Sequence, residues 1–349
     1  MDTALAQFRD RISAARAART SLRLRGGGTK DFYGEQLVGE VLDTRGYAGI
    51  VSYEPSELVV TARCGTPLSQ LEAVLAEHGQ FLAFEPPRFG GDPTIGGVVA
   101  AGLSGPRRAN AGAVRDFVLG AKLLDANGEL LRFGGEVMKN VAGFDISRLL
   151  CGSLGILGLI AEVSLKVLPR ARAEATLTFE MDAARAIQQF NRWNAQALPV
   201  SATAWHKGTA YLRLAGAASA VDAAARALGG ETLAAAAAFW DSLRDQTHTT
   251  FASARLWRLS LPATVTFDLP GISLIEWAGA LRWLASDVPP TQIRAAASQA
   301  GGHATLWRGA RDTTMFHPLA AAVLDLHRRL KQRFDPPGIF NSGRLVQGL

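Results

Sequence analysis

The chain has 349 residues, of which 48% are hydrophobic and 19% charged, and its formal net charge is +6. This length exceeds what one hydrophobic core usually serves, so we expect two or three domains, and the composition excludes a largely disordered chain. The basic residues are dispersed, which predicts a solvated surface and no nucleic-acid interface, although peripheral contact with an acidic membrane surface stays open.

Cysteine content limits the possible metal sites. The chain has two cysteines, Cys64 and Cys151, and no C-x-x-C pair. Two cysteines cannot supply a four-thiolate set for zinc or an iron–sulfur cluster, and the histidines are not clustered with acids, so no metal centre is predicted. The first ten residues lack the apolar core of a signal peptide, and no apolar run approaches the ~20 residues that span a bilayer. We therefore expect a cytoplasmic protein with at most peripheral contact with the inner membrane, and two buried thiols.

The N-terminal part predicts a mixed helix and strand unit. Residues 4–19 have apolar side chains at helical spacing, and residues 58–63 are typical of a strand. A second helix is predicted over residues 66–78, with its first residue as N-cap, Pro67 at the first helical position and Gly79 beyond its end. We expect this strand and helix to form a small α+β lobe around the glycine-rich loop that precedes them.

Two glycine-rich segments carry the strongest chemical signal. One is Arg25-Gly-Gly-Gly-Thr-Lys30, and the other runs from Thr94 to Gly105 with glycines at 96, 97, 102 and 105. Because glycine has no Cβ, successive N–H groups in such segments can turn toward an anion, which predicts two backbone cradles for one diphosphate group. The Rossmann G-x-G-x-x-G and the P-loop signature are both missing from the sequence. A flexible surface turn stays open as the alternative for the first segment.

The middle of the chain predicts antiparallel strands. Residues 117–124 and 129–133 flank Asn127-Gly128, a strong hairpin signal. Residues 159–167 alternate apolar and polar side chains, which predicts a strand with one buried face, and Pro169 closes it.

The second half predicts alternating strands and alanine-rich helices. Helices are expected over 183–195 and 217–228, and short strands over 176–180 and 210–214. The alanine run at 234–238 continues into Phe239, Trp240 and Leu243, so it predicts close helix packing. A final helix over 319–334 should stop before Pro336-Pro337-Gly338, after which we expect the tail to return to the first domain.

Six longer runs, taken in order, resemble a known family. They are Phe84–Pro87, Thr94–Gly97, Gly112–Gly120, Val137–Asp145, Gly152–Gly158 and Phe334–Asn341. Together they resemble the FAD-binding subunit of bacterial glycolate oxidase, in the flavoprotein group with the vanillyl-alcohol-oxidase type of FAD domain. The resemblance is strong over the first half and the C-terminal tail, and weak between them.

The resemblance implies an α+β fold with a two-lobed PCMH-type FAD-binding domain and a smaller α+β cap domain. The FAD-binding domain is expected over residues 1–170 and the cap, for substrate or partner binding, over 171–325. The tail, residues 326–349, is expected to return to the FAD-binding domain.

The resemblance also implies noncovalent FAD and a set of residues that bind it. Pyrophosphate, flavin and adenine contacts are expected from backbone-rich loops: Gly26, Gly27, Gly28, Thr29, Lys30, Thr94, Ile95, Gly96, Gly97, Ala101, Gly102, Leu103, Ser104, Arg115, Asp116, Gly155, Gly158, Ile160 and Asn341. Three alternatives stay open. Arg115 and Asp116 are also typical of an ion pair at a turn, Asn341 of a turn-forming residue, and Lys139, Asn140 and Asp145 of residues that hold a loop.

The implied reaction is oxidation of a 2-hydroxy acid, glycolate to glyoxylate, with hydride transfer to the flavin. It needs a general base and a cation for the carboxylate, for which His303 and Arg308 are candidates. A lone histidine is also typical of a structural role. The metal-assisted substrate site of the family's larger flavoprotein subunit has no counterpart in this sequence, since its histidines are not clustered with acids.

The implied partners are that larger flavoprotein subunit and an iron–sulfur subunit, because this chain cannot hold a cluster itself. Two alternatives stay open. One is a stand-alone FAD-linked 2-hydroxy acid oxidase, and the other is an assembly subunit whose FAD is structural.

Overall fold

The computed structural model describes residues 3–135, 145–265, 267 and 269–349. Its helices are α1 (Thr3–Ala18), α2 (Leu68–Glu77), α3 (Ile95–Ala101), α4 (Arg108–Ala111), α5 (Ile146–Leu149), α6 (Ala183–Asn194), α7 (Ala218–Leu228), α8 (Ala236–Arg244), α9 (Pro290–Gln299) and α10 (Ala321–Phe334). Its strands are β1 (Leu22–Arg25), β2 (Glu40–Asp43), β3 (Ile50–Glu54), β4 (Val59–Arg63), β5 (Gln80–Phe81), β6 (Val118–Leu124), β7 (Leu130–Gly134), β8 (Leu159–Lys166), β9 (Leu168–Pro169), β10 (Ala173–Glu180), β11 (Val200–His206), β12 (Thr209–Gly216), β13 (Glu231–Thr232), β14 (Leu256–Ser260), β15 (Ile272–Glu276), β16 (Leu281–Ala285) and β17 (His303–Arg308).

The first lobe consists of the parallel pair β1–β2, helix α1 and the C-terminal tail. The apolar side of α1 is buried through Leu5, Phe8 and Ile12, as its helical spacing predicts. The tail adds to β1, where the Leu22 N–H donates to Ile339 O at 2.7 Å. The tail therefore lies against β1, where it was expected, and the domain division itself stays a prediction.

The second lobe is a five-stranded antiparallel sheet in the order β3-β4-β8-β6-β7. Two expectations are wrong here. Strand β4 pairs with β3 and β8, and α2 packs on the core of the same sheet, so strand and helix do not form a small separate lobe around the triple-glycine loop. Strand β8 is buried on both faces up to Lys166, because it is the central strand, so Glu162 is enclosed and accepts a hydrogen bond from Tyr47 Oη at 2.9 Å.

The glycine-rich segments are positioned by the two lobes. Helix α3 packs into the core of the second lobe through Ile95, Val98 and Val99. Helix α2 begins at Leu68, with Pro67 as N-cap, which corrects the prediction for Thr66. The Thr66 hydroxyl bonds the backbone of Gly49 at 2.9 and 3.0 Å.

The second half forms an eight-stranded antiparallel sheet in the order β13-β10-β12-β11-β15-β16-β14-β17. Helices α6 and α7 confirm the predicted alanine-rich helices, and α8 contains residues 236–238 of the alanine run, whose first two residues precede the helix. The α+β class is confirmed, and the domain boundaries at 170 and 325 stay a prediction.

Buried charges hold the parts together. Glu85 accepts from Arg107 Nε at 3.0 Å and from Arg213 Nη2 at 2.9 Å, which ties the second lobe to the eight-stranded sheet. Lys331 and Asp335 form a buried ion pair of 2.6 Å at the end of α10. Asp335 also accepts from the N–H of Phe340 at 2.8 Å, so this pair fixes the returning tail.

Candidate functional site

A cleft of about 820 Å³ lies between the two lobes and the C-terminal tail. It is lined by Leu24, Arg25, Gly26, Gly27, Gly28, Thr29, Lys30, Asp31, Tyr33, Leu37, Thr44, Cys64, Pro93, Thr94, Gly96, Gly97, Ala100, Ala101, Leu154, Gly155, Gly158, Leu159, Ile160, Asn341 and Arg344. The structure thus brings both glycine-rich segments, the 155–160 segment and the tail to one site.

The triple-glycine loop offers unpaired backbone donors to this cleft. Among the described residues, the N–H groups from Gly27 to Lys30 have no acceptor, whereas the next one, Asp31 N–H, donates to Gly28 O at 3.1 Å. Gly28 has a φ of +72°, a conformation that favours glycine. Successive free N–H groups in such a turn form a concave anion site. The loop is a turn-containing wall of the cleft.

The second glycine-rich segment differs from the predicted cradle. The N–H groups of Ile95 and Gly96 already donate to Thr66 O at 3.0 Å and to Cys64 O at 2.9 Å. Two of the expected donors are therefore used by the fold itself. What remains is Gly97, whose N–H has no acceptor among the described residues, and Thr94, whose Oγ1 is buried without a partner there.

The glycines of this segment serve two purposes. A Cβ on Gly96 would lie 2.6 Å from Cys64 Cβ, so Gly96 permits helix α3 to pack against the residue that follows β4. A Cβ on Gly97 would meet Thr94 Oγ1 alone, at 3.4 Å, and would otherwise enter the cleft. Gly97 is therefore the position where a side chain competes with a ligand, and Gly96 is required by the fold.

Asn341 has a structural role at the cleft. It lies in the left-handed region with a φ of +42°. Its Oδ1 accepts from Leu24 N–H at 2.8 Å, and its Nδ2 donates to Leu154 O at 2.6 Å. The turn-forming alternative describes these contacts well. Asn341 lines the cleft and holds two of its walls in place.

Lys30 and Arg344 place positive charge beside the N–H groups of the triple-glycine loop. Burial lowers the pKa of Lys30 to about 8, with Asp245 opposing this effect. Arg344 was missed by the sequence reasoning, because a single arginine near the C-terminus has no motif around it. Its guanidinium donates to Asp31 O at 2.8 Å and to Lys30 O at 3.2 Å, and burial lowers its pKa to about 10. Arg344 orients the carbonyls of the loop and adds positive charge near its N–H groups.

A second cavity, of about 340 Å³, lies between the loop after α3 and the eight-stranded sheet. Leu103 and Ser104 line this cavity and not the first. The full lining is Pro87, Phe89, Leu103, Ser104, Gly105, Leu243, Arg244, Gln246, Arg258, Glu276, Trp277, Leu281, Trp283 and Trp307. Tyr33 of the cleft and Trp307 of the cavity have ring centroids 5.1 Å apart, so a wall of aromatic rings separates the two spaces.

Four predicted cofactor residues line neither space. Ile95 is in the core, and Gly102 is the left-handed C-cap of α3, with a φ of +66°. Arg115 and Asp116 lie in a short 3-10 turn, exposed and 4.0 Å apart, where the Asp116 carboxylate accepts from Ala113 N–H at 2.8 Å. The turn alternative describes this pair better than cofactor contact does.

The catalytic candidates His303 and Arg308 also lie away from both spaces. They are the exposed first and last residues of β17, and neither lines the cleft or the cavity. A β-bulge explains why the neighbouring Trp307 lines the cavity although Arg308 does not. Arg308 pairs with Leu256 and Leu306 with Trp257, so Trp307 between them has no partner and its ring faces the cavity.

Other predictions concern the loop before α5 and metal binding. Lys139 and Asn140 lie outside the described residues, whereas Asp145 caps α5 by accepting from Arg148 N–H at 3.1 Å. Within the described residues, no group of three or more His, Cys, Asp or Glu side chains is placed to hold a metal ion. In the same part of the chain, no helix has the length and apolar character needed to cross a membrane.

Comparison with known proteins defines the class first. Residues 3–134 match the family model for an FAD binding domain, so the protein is an FAD-binding flavoprotein. The chain is 46% identical over 342 residues to glycolate oxidase subunit GlcE of Escherichia coli (strain K12), covering 97% of each protein. The chain belongs to the family of that subunit.

More distant relatives match over shorter stretches. Glycolate oxidase subunit GlcD of Bacillus subtilis (strain 168) is 40% identical over 84 residues, 24% of this chain and 18% of that protein. A D-lactate dehydrogenase of Archaeoglobus fulgidus is 30% identical over 156 residues, 43% of this chain and 33% of that protein.

A solved structure shares the fold. Alkyldihydroxyacetonephosphate synthase has a TM-score of 0.65 at 16% identity and covers 97% of this chain and 75% of its own. The resemblance, the PCMH-type FAD-binding fold, the FAD cofactor and the class of FAD-linked oxidoreductase are thereby confirmed.

Proposed function

We propose that this chain is the FAD-binding subunit of a glycolate oxidase complex and that its FAD is held noncovalently in the cleft of about 820 Å³. One observation carries the proposal. The unpaired N–H groups of residues 27–30 line the same cleft as the buried, partnerless Thr94 Oγ1. A ligand with several negatively charged oxygens satisfies such donors, and a pyrophosphate has them.

The other walls suit the remaining parts of FAD. Gly155, Gly158 and Ile160 present backbone where the adenine end is expected by family resemblance. Asn341 and Arg344 keep the tail against the triple-glycine loop, so the cleft is formed before the cofactor enters. When bound, FAD supplies the two-electron acceptor for oxidation of a 2-hydroxy acid to the 2-oxo acid.

The complex is expected to contain further subunits, since the similar protein of E. coli is named as one subunit of glycolate oxidase. We propose a larger flavoprotein and an iron–sulfur protein as the partners. The two cysteines of this chain cannot supply the ligands of an iron–sulfur cluster, so electrons would leave through a partner. We place this complex in the cytoplasm, at most peripherally on the inner membrane.

Anaerobic stopped-flow absorbance tests the proposal. The isolated chain should arrive yellow with FAD, and glycolate should bleach its flavin slowly or not at all, whereas the reconstituted complex should bleach rapidly. A colourless chain that cannot be reconstituted with FAD would overturn the cofactor assignment. Rapid and complete bleaching by the isolated chain would favour the stand-alone oxidase. A complex that oxidises glycolate rapidly while the flavin of this chain stays oxidised would favour the structural role.

A further inference from the structure

The second cavity contains an arginine without a bonding partner. Arg258 lies in the middle of β14, and its guanidinium is 5.1 Å from the ring centroid of Trp277 and 5.8 Å from that of Trp307. Among the described residues it makes no hydrogen bond and no ion pair within 4.0 Å. The two indole rings interact with the cation and leave its N–H donors unused.

The other arginine of the cavity is already paired. Arg244 donates to Asp245 at 2.7 Å and contacts Asp241 at 3.0 Å. Arg258 has no carboxylate within 4.0 Å among the described residues, and burial lowers its pKa although Tyr33 and Glu276 oppose this, so the lost hydration of its charge is only partly compensated. Arg258 is therefore the cation of this cavity that an incoming anion can bind.

Glu276 is the acid that lines the same cavity. It lies at the end of β15, is buried, and accepts a hydrogen bond from Trp283 Nε1 at 2.8 Å. Burial raises the pKa of Glu276 to about 7, and nearby Glu85 adds to this, while the Trp283 bond and Arg258 oppose it. A carboxyl group that is half protonated near neutral pH can donate or accept a hydrogen bond without excluding a second carboxylate.

The walls restrict the size and character of the ligand. Trp277, Trp283 and Trp307 contribute indole surfaces, and the space between them is narrow. The cavity also adjoins the cofactor cleft, across the contact of Trp307 with Tyr33. A short anionic molecule with one polar substituent fits these features.

We propose that this cavity binds a small monocarboxylic 2-hydroxy acid, with Arg258 pairing with its carboxylate and Glu276 hydrogen-bonding its hydroxyl group. The ligand class rests on the proposed function, whereas the location rests on the cavity itself. A planar guanidinium can bind a carboxylate through two parallel hydrogen bonds, which a lysine cannot reproduce. Arg258 and Glu276 thus replace His303 and Arg308 as the candidate residues for substrate.

Titration calorimetry of the FAD-loaded chain with glycolate and acetate tests this assignment. Wild type should bind glycolate more tightly than acetate. Arg258→Met should weaken both by at least about tenfold, the effect of one charge-assisted hydrogen-bonding group. Arg258→Lys should recover part of the loss, and Glu276→Gln should reduce the preference for glycolate over acetate. Arg255→Met is the matched control, because Arg255 lies next to β14 but pairs with Asp312 at 3.0 Å, away from the cavity.

The outcomes separate this inference from the proposed function. If the chain holds FAD but wild type does not bind glycolate, or Arg258→Met binds it as wild type does, the cavity assignment is wrong and the cofactor assignment stands. If the chain holds no FAD, the proposed function fails, and glycolate titration of the FAD-free chain still reports on the cavity. Unchanged thermal unfolding and far-UV dichroism in both Arg258→Met and Arg258→Lys show that a loss of binding is not a loss of folding.

Discussion

Replacing Glu276 by glutamine should change how the stability of this protein depends on pH. Glu276 is 4% exposed, and burial raises its pKa to about 7 from the ordinary 4.5. At pH values between 4.5 and about 7, the Glu276 carboxyl group keeps its proton in the folded state but has lost it in the unfolded chain. The free energy of unfolding therefore falls as pH rises through this window, and Glu276→Gln should remove that fall.

The size of the effect follows from the two pKa values. One pH unit corresponds to about 1.4 kcal/mol, so the interval from 4.5 to about 7 corresponds to about 3 kcal/mol at pH above 7. Below pH 4.5 the contribution vanishes, because both states are protonated. Glutamine keeps an oxygen that can accept from Trp283 Nε1, so the variant should fold with this bond intact.

Urea unfolding of the FAD-saturated protein at pH 5, 6, 7 and 8 measures the effect. The stability of Glu276→Gln relative to wild type should rise by about 2.5 kcal/mol from pH 5 to pH 8, because a smaller part of the effect is already present at pH 5. Glu57→Gln, which removes an exposed carboxylate in the turn before β4, serves as the control. If the unfolding free energies of wild type and Glu276→Gln changed with pH in parallel, the reasoning would be refuted, because Glu276 would then titrate alike in the folded and unfolded states.

Two further predictions concern the tail and the cofactor linkage. Lys331→Met should cost about 3–5 kcal/mol of stability in urea unfolding, because it leaves buried Asp335 without its cation; a loss below about 1 kcal/mol would contradict this. Acid precipitation should release all FAD to the supernatant, because Cys64, the thiol at the cleft, has its pKa raised to about 12 by burial and is a poor nucleophile. Flavin that stays with the precipitate would contradict noncovalent binding.

Much of the fold could be predicted because local signals agreed with the final structure. The spacing in α1 and the Asn127-Gly128 turn between β6 and β7 act over short distances and survive in the fold. The alternation in β8 predicted one buried face, yet a central strand is covered on both. Burial of Glu162 there depends on Tyr47 and Lys122, which are distant in sequence, so the pattern alone could not indicate it.

The cofactor cleft was predictable in outline and the substrate cavity was not. Glycine patterns identified the loops, but they could not distinguish Gly96, which the fold requires against Cys64, from Gly97, which faces the cleft. Arg258 and Glu276 are single charged residues on separate strands, without a motif around either. The two residues are brought to one cavity by the order of the strands in the eight-stranded sheet, and no local sequence pattern indicates that order.

The affinity of Gly97→Val for FAD tests the central claim most directly. The new side chain would enter the cleft beside Thr94 Oγ1, whereas Gly46→Ala places its Cβ where nothing lies within 4 Å. Overpacking of about 1–3 kcal/mol predicts FAD binding weakened by about 5- to 150-fold in Gly97→Val, with normal thermal unfolding of the FAD-free protein and wild-type affinity in Gly46→Ala. Wild-type FAD affinity in a folded Gly97→Val protein would contradict the account, because the cofactor would then lie elsewhere.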